Sequence, residues 1–210
     1  MKSTENQTEL LGSISKEAIL RQAAKLFREK GYRATSLEDV AAAFGVSRPA
    51  IYYYFSSKQE ILTTIHRQAR DKLYNTAEEI FQTGLSTAEK FQRLIENHIY
   101  VVATEATILG IYYEEDKELD PDYFREVQTS RREYTYKIIE LYKKGKEEKV
   151  FRDVNPVIPV FTVLGAANWV YRWFREDGPL SAQEIARIMA ELITKGCFLN
   201  RINDGKESGG

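Results

Sequence analysis

The chain of 210 residues repeats apolar positions with a helical period almost throughout. Ile19, Ala23, Leu26 and Phe27 recur at steps of three and four with Arg21, Lys25 and Arg28 between them, and the pattern stops at Gly31, which predicts a helix over 13–30. Ser36 followed by Asp39 three residues on is a capping pair, and Leu37, Val40, Ala41 and Phe44 give a short second helix ending at Gly45. A third opens at Ser47, whose hydroxyl is suited to cap it, and Pro49 is tolerated in its first turn because a proline lacks only an N–H that has no partner there. Ser56 and Ser57 break it and cap a longer helix from Lys58 to about Thr83.

Later starts are marked by the capping pairs Ser86/Glu89 and Ser181/Glu184 and by Asp120-Pro121 and Asn155-Pro156. Gly110 and the EEDKELDPD run interrupt the pattern, and Gly145 closes the helix that begins at Pro121. No segment reads as a strand. The expectation is an all-α chain of about nine helices: a three-helix domain with a helix-turn-helix over 13–58, and a helical domain over 59–202. The helix from Lys58 joins the two, and the ends 1–12 and 203–210 are expected to be disordered.

The stretch SRPAIYYYF, 47–55, puts three tyrosines and a phenylalanine in a row. In a helix that starts near Ser47, Ile51, Tyr54 and Phe55 share the inward side, while Arg48, Pro49, Tyr52 and Tyr53 lie opposite. An exposed guanidinium with two phenolic hydroxyls suits contact with phosphates and base edges, the task of the second helix of a helix-turn-helix in a major groove. Packing against a neighbouring domain is the other use such tyrosines could have.

Charge supports the first use. From Ser15 to Arg70 there are ten Lys and Arg against five Asp and Glu, a balance of +5, so the remainder of a chain with net charge -1 carries -6. A locally basic third fits a phosphate-facing surface. Composition excludes other classes: 43% hydrophobic and 12% aromatic residues can build a core, and no apolar run approaches the ~20 residues that cross a bilayer. The polar start lacks the segments of a secretory signal, so a cytoplasmic protein is expected. Cys197 is the only cysteine, which excludes a disulfide framework, and is expected as a buried small side chain. His66 and His98 stand far apart without ligand spacing, so no metal and no cofactor are expected; both read as structural, with a pocket role open for His98. Glu114-Glu115-Asp116 reads as a solvated acidic loop. No catalytic constellation is present, so the chain is not expected to be an enzyme.

The run ILRQAAKLFREKGYRATSLEDVAAAFGVSRPAIYYYFSSKQEIL resembles the DNA-binding domain of TetR-family transcriptional regulators, in helix one, the Gly-Tyr and Thr-Ser entry to helix two, and the Tyr-x-Tyr-Phe-x-x-Lys ending. The resemblance implies that Thr35 and Ser36 touch the phosphate backbone, that Ser47, Arg48, Pro49, Ala50 and Tyr53 approach base edges, and that Tyr52 and Lys58 hold phosphates. Arg48 would read a guanine through its planar fork. With so few polar base contacts per domain, a symmetric dimer on a palindromic double-stranded operator is expected.

The remaining two thirds must dimerise the reader, sense something, or both. The segment 155–174 is apolar nearly all round, and 181–198 carries Ile188, Met189, Leu192, Ile193 and Gly196 on one face, so these two helices are expected to form a homodimer interface. The middle helices are rich in tyrosine, with Tyr100, Tyr112, Tyr113, Tyr123, Tyr134, Tyr136 and Tyr142, and tyrosines can line a pocket with rings while offering hydroxyls. Tyr112, Tyr113, Arg131 and Tyr134 are the candidates there.

The segments NWVYRWFREDGPLSAQEIARIMAELITKG and KKGKEEKVFRDVNP look like the C-terminal part of a TetR-family branch that controls lipid and steroid catabolism and responds to acyl-CoA thioesters. That likeness implies Trp169 and Arg172 near the CoA portion, with Asn168 beside them where a bulkier side chain is usual. A multidrug-sensing repressor and an effector-free regulator are the alternatives.

Overall fold

The computed structural model of the protein describes residues 15–197, excluding the side chain of Cys197. Nine α-helices make up the described residues, with no strand element among them. The expected disorder at 1–12 and 203–210, the helix start at 13 and the burial of Cys197 lie outside what is described.

Helices α1 (Lys16–Lys30), α2 (Leu37–Phe44) and α3 (Arg48–Tyr54) form the N-terminal bundle. Its core is Ile19, Leu20, Ala23, Phe27, Val40, Ile51 and Phe55, all nearly fully buried. Ser36 closes the expected capping box with Asp39, whose carboxylate is held well below its usual range by Lys30 and by hydrogen bonds from Ser36. Gly45 ends α2 in a left-handed conformation, φ 65°, where a Cβ would be strained, and this fixes the turn into α3. Ser47 starts α3 without a capping bond from its hydroxyl, contrary to the sequence expectation; its backbone carbonyl alone begins the helix, at Ala50 N.

α4 (Lys58–Gln82) leaves this bundle and packs on α1, α5 and α6. α5 (Thr87–Thr104) opens with the Ser86/Glu89 capping box and is central to the C-terminal region, meeting α4, α7, α8 and α9. The break expected at Gly110 falls instead at Glu105, and Gly110 lies buried inside α6 (Ala106–Glu114), where its missing side chain leaves room for Arg28. A single 3₁₀ turn, Asp116–Glu118, leads to α7 (Pro121–Glu147), capped by Asp120 Oδ1 at Asp122 N, 2.9 Å. α8 (Val157–Trp173) and α9 (Ala182–Cys197) complete the chain.

Gly145 does not close α7; the helix runs two residues further and the Phe151 ring is folded back over the glycine. That ring is buried against Phe91 and Tyr142, at centroid distances of 5.0 and 4.9 Å. A Cβ at position 145 would stand 2.1 Å from Phe151 Cδ2. Gly145→Ala is therefore expected to cost about 1–3 kcal/mol by overpacking, read as a lower midpoint in urea with an unchanged m-value; an unchanged midpoint would mean that the ring can leave without loss.

Candidate nucleic-acid interface and sensing core

α3 presents two faces. Ile51 and Phe55 are buried with Tyr54 half-buried beside them, while Ser47, Arg48, Pro49, Tyr52 and Tyr53 are exposed and Ala50 is partly so. Tyr53 is 83% exposed, the most open of the large apolar side chains. Arg48 is posed by its surroundings: one terminal nitrogen donates to the Tyr52 hydroxyl at 2.7 Å, the other meets Glu38 Oε1 at 2.7 Å, and the guanidinium lies 5.0 Å from the Tyr52 ring centroid. A base-reading fork on this residue must exchange the Glu38 carboxylate for its target.

Two expected phosphate contacts are placed differently. Thr35 is 2% exposed, and its hydroxyl is turned inward to donate to Gly31 O at 2.9 Å and Leu26 O at 3.3 Å, so this side chain ties the loop to α1 rather than facing DNA. Lys58 bends back, donating to Tyr32 O at 2.7 Å and Arg33 O at 3.3 Å while lying over the Tyr32 ring. Both carbonyls follow α1, and satisfying them keeps the ammonium from an outward pose. Ser36 is half-buried, and its hydroxyl and N–H both donate to Asp39.

The interior of the C-terminal region gathers most of the predicted ligand residues into two connected polar clusters. In the first, Arg131 from α7 donates to the Tyr112 hydroxyl at 3.2 Å and carbonyl at 2.7 Å, and pairs with Asp116 at 2.7 Å. The Tyr112 hydroxyl also meets that of Tyr74 on α4, at 3.0 Å. In the second, His98 on α5 lies between the Tyr134 hydroxyl, 2.9 Å from Nδ1, and Asn168 Oδ1, 2.7 Å from Nε2. The Tyr113 hydroxyl donates to the same Asn168 oxygen at 2.8 Å. Because that oxygen only accepts, His98 carries its proton on Nε2 and accepts from Tyr134 at Nδ1. Stacking of Tyr74 on Tyr134, 4.8 Å between centroids, joins the clusters.

Trp169 and Arg172 stand apart from this interior. Trp169 is 58% exposed on the outer side of α8, and Arg172 lies over its ring at 5.2 Å while pairing with Glu114 at 2.7 Å. Glu114 thus belongs to an ion pair and Asp116 to another, in place of the solvated acidic loop expected there. Among the other middle tyrosines, Tyr142 is core, whereas Tyr100 and Tyr136 are exposed.

Sequence reasoning overlooked Tyr74 and read His66 as structural, whereas His98, for which a pocket role was open, stands at the centre of the second cluster. Tyr74 follows Leu73 on α4 and carries no spacing signal; only the fold brings it to Tyr112 and Tyr134. His66 is fully buried, its ring 5.3 Å from that of Tyr112, with neither nitrogen hydrogen-bonded among the described residues. Burial, reinforced by the Arg131 charge, pushes its pKa down to about 4. His98 is pushed down to about 4 by burial, against the hydrogen bond to Asn168.

Comparison with known proteins agrees with this arrangement. Residues 19–65 match the model of bacterial regulatory proteins of the tetR family, and residues 84–197 match the tetracyclin repressor-like C-terminal domain. A reading helix on a three-helix bundle, followed by a helical C-terminal domain, defines a helix-turn-helix transcriptional regulator. The chain belongs to the TetR family, whose members are DNA-binding regulators rather than enzymes.

It is 28% identical over 183 residues to the HTH-type transcriptional repressor KstR2 of Rhodococcus jostii strain RHA1, spanning 85% of this chain and 88% of that relative. Its fold matches the ketosteroid transcriptional regulator KstR2 of Mycobacterium tuberculosis with a TM-score of 0.83 at 24% identity, over 89% of this chain and 96% of that one. AibR in complex with isovaleryl coenzyme A and operator DNA matches with a TM-score of 0.72 at 24% identity, over 84% and 96% of the two chains. Among the described residues no helix is long and apolar enough to cross a membrane, and no group of three or more His, Cys, Asp or Glu is placed to hold a metal ion.

The two depressed histidines give a pH signature with a definite sign. Both bind a proton near pH 4 when folded and near 6.5 when unfolded, so between these values the unfolded chain binds more protons. Their stabilisation is complete above pH 6.5 and drains away as the pH falls toward 4. Replacing His98 by Gln is expected to remove about one proton from this linkage, so urea midpoints of the parent and variant should differ less at pH 4.5 than at pH 7.5. A difference independent of pH would show that His98 titrates normally in the folded chain.

Proposed function

We propose that the protein is a transcriptional repressor that binds a palindromic operator as a homodimer and is released by an acyl-CoA thioester. Residues 13–58 form the reader, 59–202 the sensing and dimerisation domain, and α4 the link. The observation that carries the DNA-binding part is the face of α3, where Arg48, Pro49, Tyr52 and Tyr53 stand together in the open. Ser47 and Ala50 extend that face, and Ser36 flanks it at the start of α2. Repression is inferred from KstR2, a repressor. A regulator with this partner works beside the chromosome, in the cytoplasm.

The dimer reading rests on α8 and α9. Ile158, Phe161, Trp169 and Trp173 on α8, and Ile188 and Leu192 on α9, are exposed at 36–68%. Gly165 is open on the same helix. So large an apolar surface on two adjacent helices is uncommon for a monomer, and a second copy with the same two helices would cover it with a self-complementary contact. Leu192→Asp is expected to give a monomer by analytical ultracentrifugation with its helicity retained, and to weaken operator binding at least about tenfold. A dimer that survives the substitution would move the interface elsewhere.

The effector reading draws on three supports. KstR2 is a ketosteroid regulator, AibR is known in complex with isovaleryl coenzyme A, and this chain offers Arg172 over Trp169 at the edge of the apolar face. Glu105, one carboxylate a cationic drug would use, is paired with Lys72, while Glu96, among the described residues, accepts only from Gln183 at 3.3 Å, so a multidrug sensor is the alternative reading. An acyl chain contributes about 0.8 kcal/mol per buried CH₂, enough for a long chain to displace the interior tyrosines. Titrating acyl-CoAs of increasing chain length against the operator complex should release DNA at falling concentrations, while Arg172→Ala should require about tenfold more ligand. Release by none of them would leave an effector-free regulator.

A further inference from the structure

A cleft of about 740 Å³ separates α1 of the reader from the α5–α6 junction and the end of α8. Three cations of α1 line it, Arg21, Lys25 and Arg28, spaced four and three apart so that they share one side of the helix. Arg172 lines it from the opposite domain, with Tyr171 and Phe174 beside it. The acidic lining residues are Glu105 and Glu176, and Glu105 is neutralised by Lys72.

The three cations of α1 are poorly engaged, whereas Arg172 already pairs with Glu114 at 2.7 Å and donates to the Tyr171 hydroxyl at 3.1 Å. Arg21 approaches Glu17 at 3.8 Å and Lys25 approaches Glu29 at 3.9 Å, beyond hydrogen-bond reach, and both side chains are more than 60% exposed. Arg28 donates one bond, to Ala106 O at 3.1 Å. Four cations stand in this lining against Glu176 and a paired Glu105, a balance that favours an anionic ligand. Guanidinium forks and an ammonium facing aromatic rings match a ligand that carries several phosphate charges and a flat base, and the volume falls within the range of small-molecule sites, about 300–1,000 Å³.

We infer that this interdomain cleft binds the phosphorylated adenosine of a ligand, with Arg21, Lys25, Arg28 and Arg172 holding phosphates. The chemistry is shared by free adenine nucleotides and by the 3′-phosphoadenosine end of coenzyme A; assignment to the latter rests on the acyl-CoA reading above. The position matters for regulation. The Arg28 bond to Ala106 crosses from α1 to α6, over the space left by Gly110, so a phosphate that draws Arg28 away removes a tie between the domains and frees α1, with the reading helix attached, to change its angle.

Isothermal calorimetry on the full chain tests this with adenosine 3′,5′-bisphosphate, ATP, coenzyme A and palmitoyl-CoA, against the double variant Arg21→Ala/Lys25→Ala. The expected result is binding of the bisphosphate and coenzyme A that is weakened at least tenfold in the variant, with the variant's operator affinity and melting temperature unchanged. Binding of ATP and the bisphosphate without any CoA ester would keep the cleft as a nucleotide site and remove the acyl-CoA reading. Palmitoyl-CoA binding of equal strength in parent and variant would overturn the cleft and leave the acyl-CoA reading standing. Absence of nucleotide binding at millimolar concentration would also overturn it.

Discussion

The two halves of this protein meet at the seam where α1 lies across α6, beside the helix α4 that runs from one half into the other. A guanidinium occupies that seam, and it fits because position 110 has no side chain: a Cβ there would stand 3.3 Å from Arg28 Nε. Arg28 then reaches Ala106 O, Arg33 pairs with Glu118 at 2.9 Å, Gln59 donates to Glu118 O at 2.9 Å, and Gln68 donates to Glu17 at 3.0 Å. The reader is thereby tied by polar contacts as well as by apolar packing, because its buried residues are continuous with the core of the C-terminal helices.

The interior of the C-terminal region follows a different rule. Tyr112 and Tyr134 are almost wholly buried, and burial pushes the phenol pKa of Tyr74, Tyr113 and Tyr134 upward, so these hydroxyls stay neutral donors and acceptors. A buried hydroxyl without a partner costs about 1–3 kcal/mol, which is why each finds one in His98, Asn168, Arg131 or a second tyrosine. The clusters draw on α4, α5, α6, α7 and α8 together. Any ligand that enters must offer polar atoms in place of those it displaces, and the exchange is felt on five helices at once.

Much of this was legible in the sequence because it depends on neighbours along the chain. Capping pairs at Ser36, Ser86 and Ser181 and the Asp120-Pro121 start gave helix boundaries that agree with the fold, and the two faces of α3 followed from steps of three and four. Glycines were harder, since the same residue serves a turn at Gly45, a guanidinium at Gly110 and a phenylalanine ring at Gly145. Only the first is decided locally; the other two depend on Arg28 and Phe151, 82 and 6 residues away. Thr35 and Lys58 likewise depend on tertiary surroundings. Family resemblance pointed them at phosphates, and in this conformation the Gly31 and Tyr32 carbonyls of the turn after α1 accept from the two side chains. Tyr74, His66 and the Arg131–Tyr112 contact were invisible because tertiary packing alone joins them.

The contrast between seam and interior decides where a signal can act. Exposed ion pairs such as Arg33–Glu118 contribute about 0–1 kcal/mol each, so the polar ties across the seam are individually weak, and the apolar packing of α1 on α6 adds to them. A shift of a two-state equilibrium from 1:99 to 99:1 takes about 5.5 kcal/mol. Breaking the interior clusters without replacement would cost several such partners at once and threaten the fold of the sensing domain. An effector that satisfies the interior while drawing Arg28 from Ala106 would therefore remove one polar tie at the seam, and the apolar contact of α1 on α6 would have to shift with it for the reading helix to change its angle.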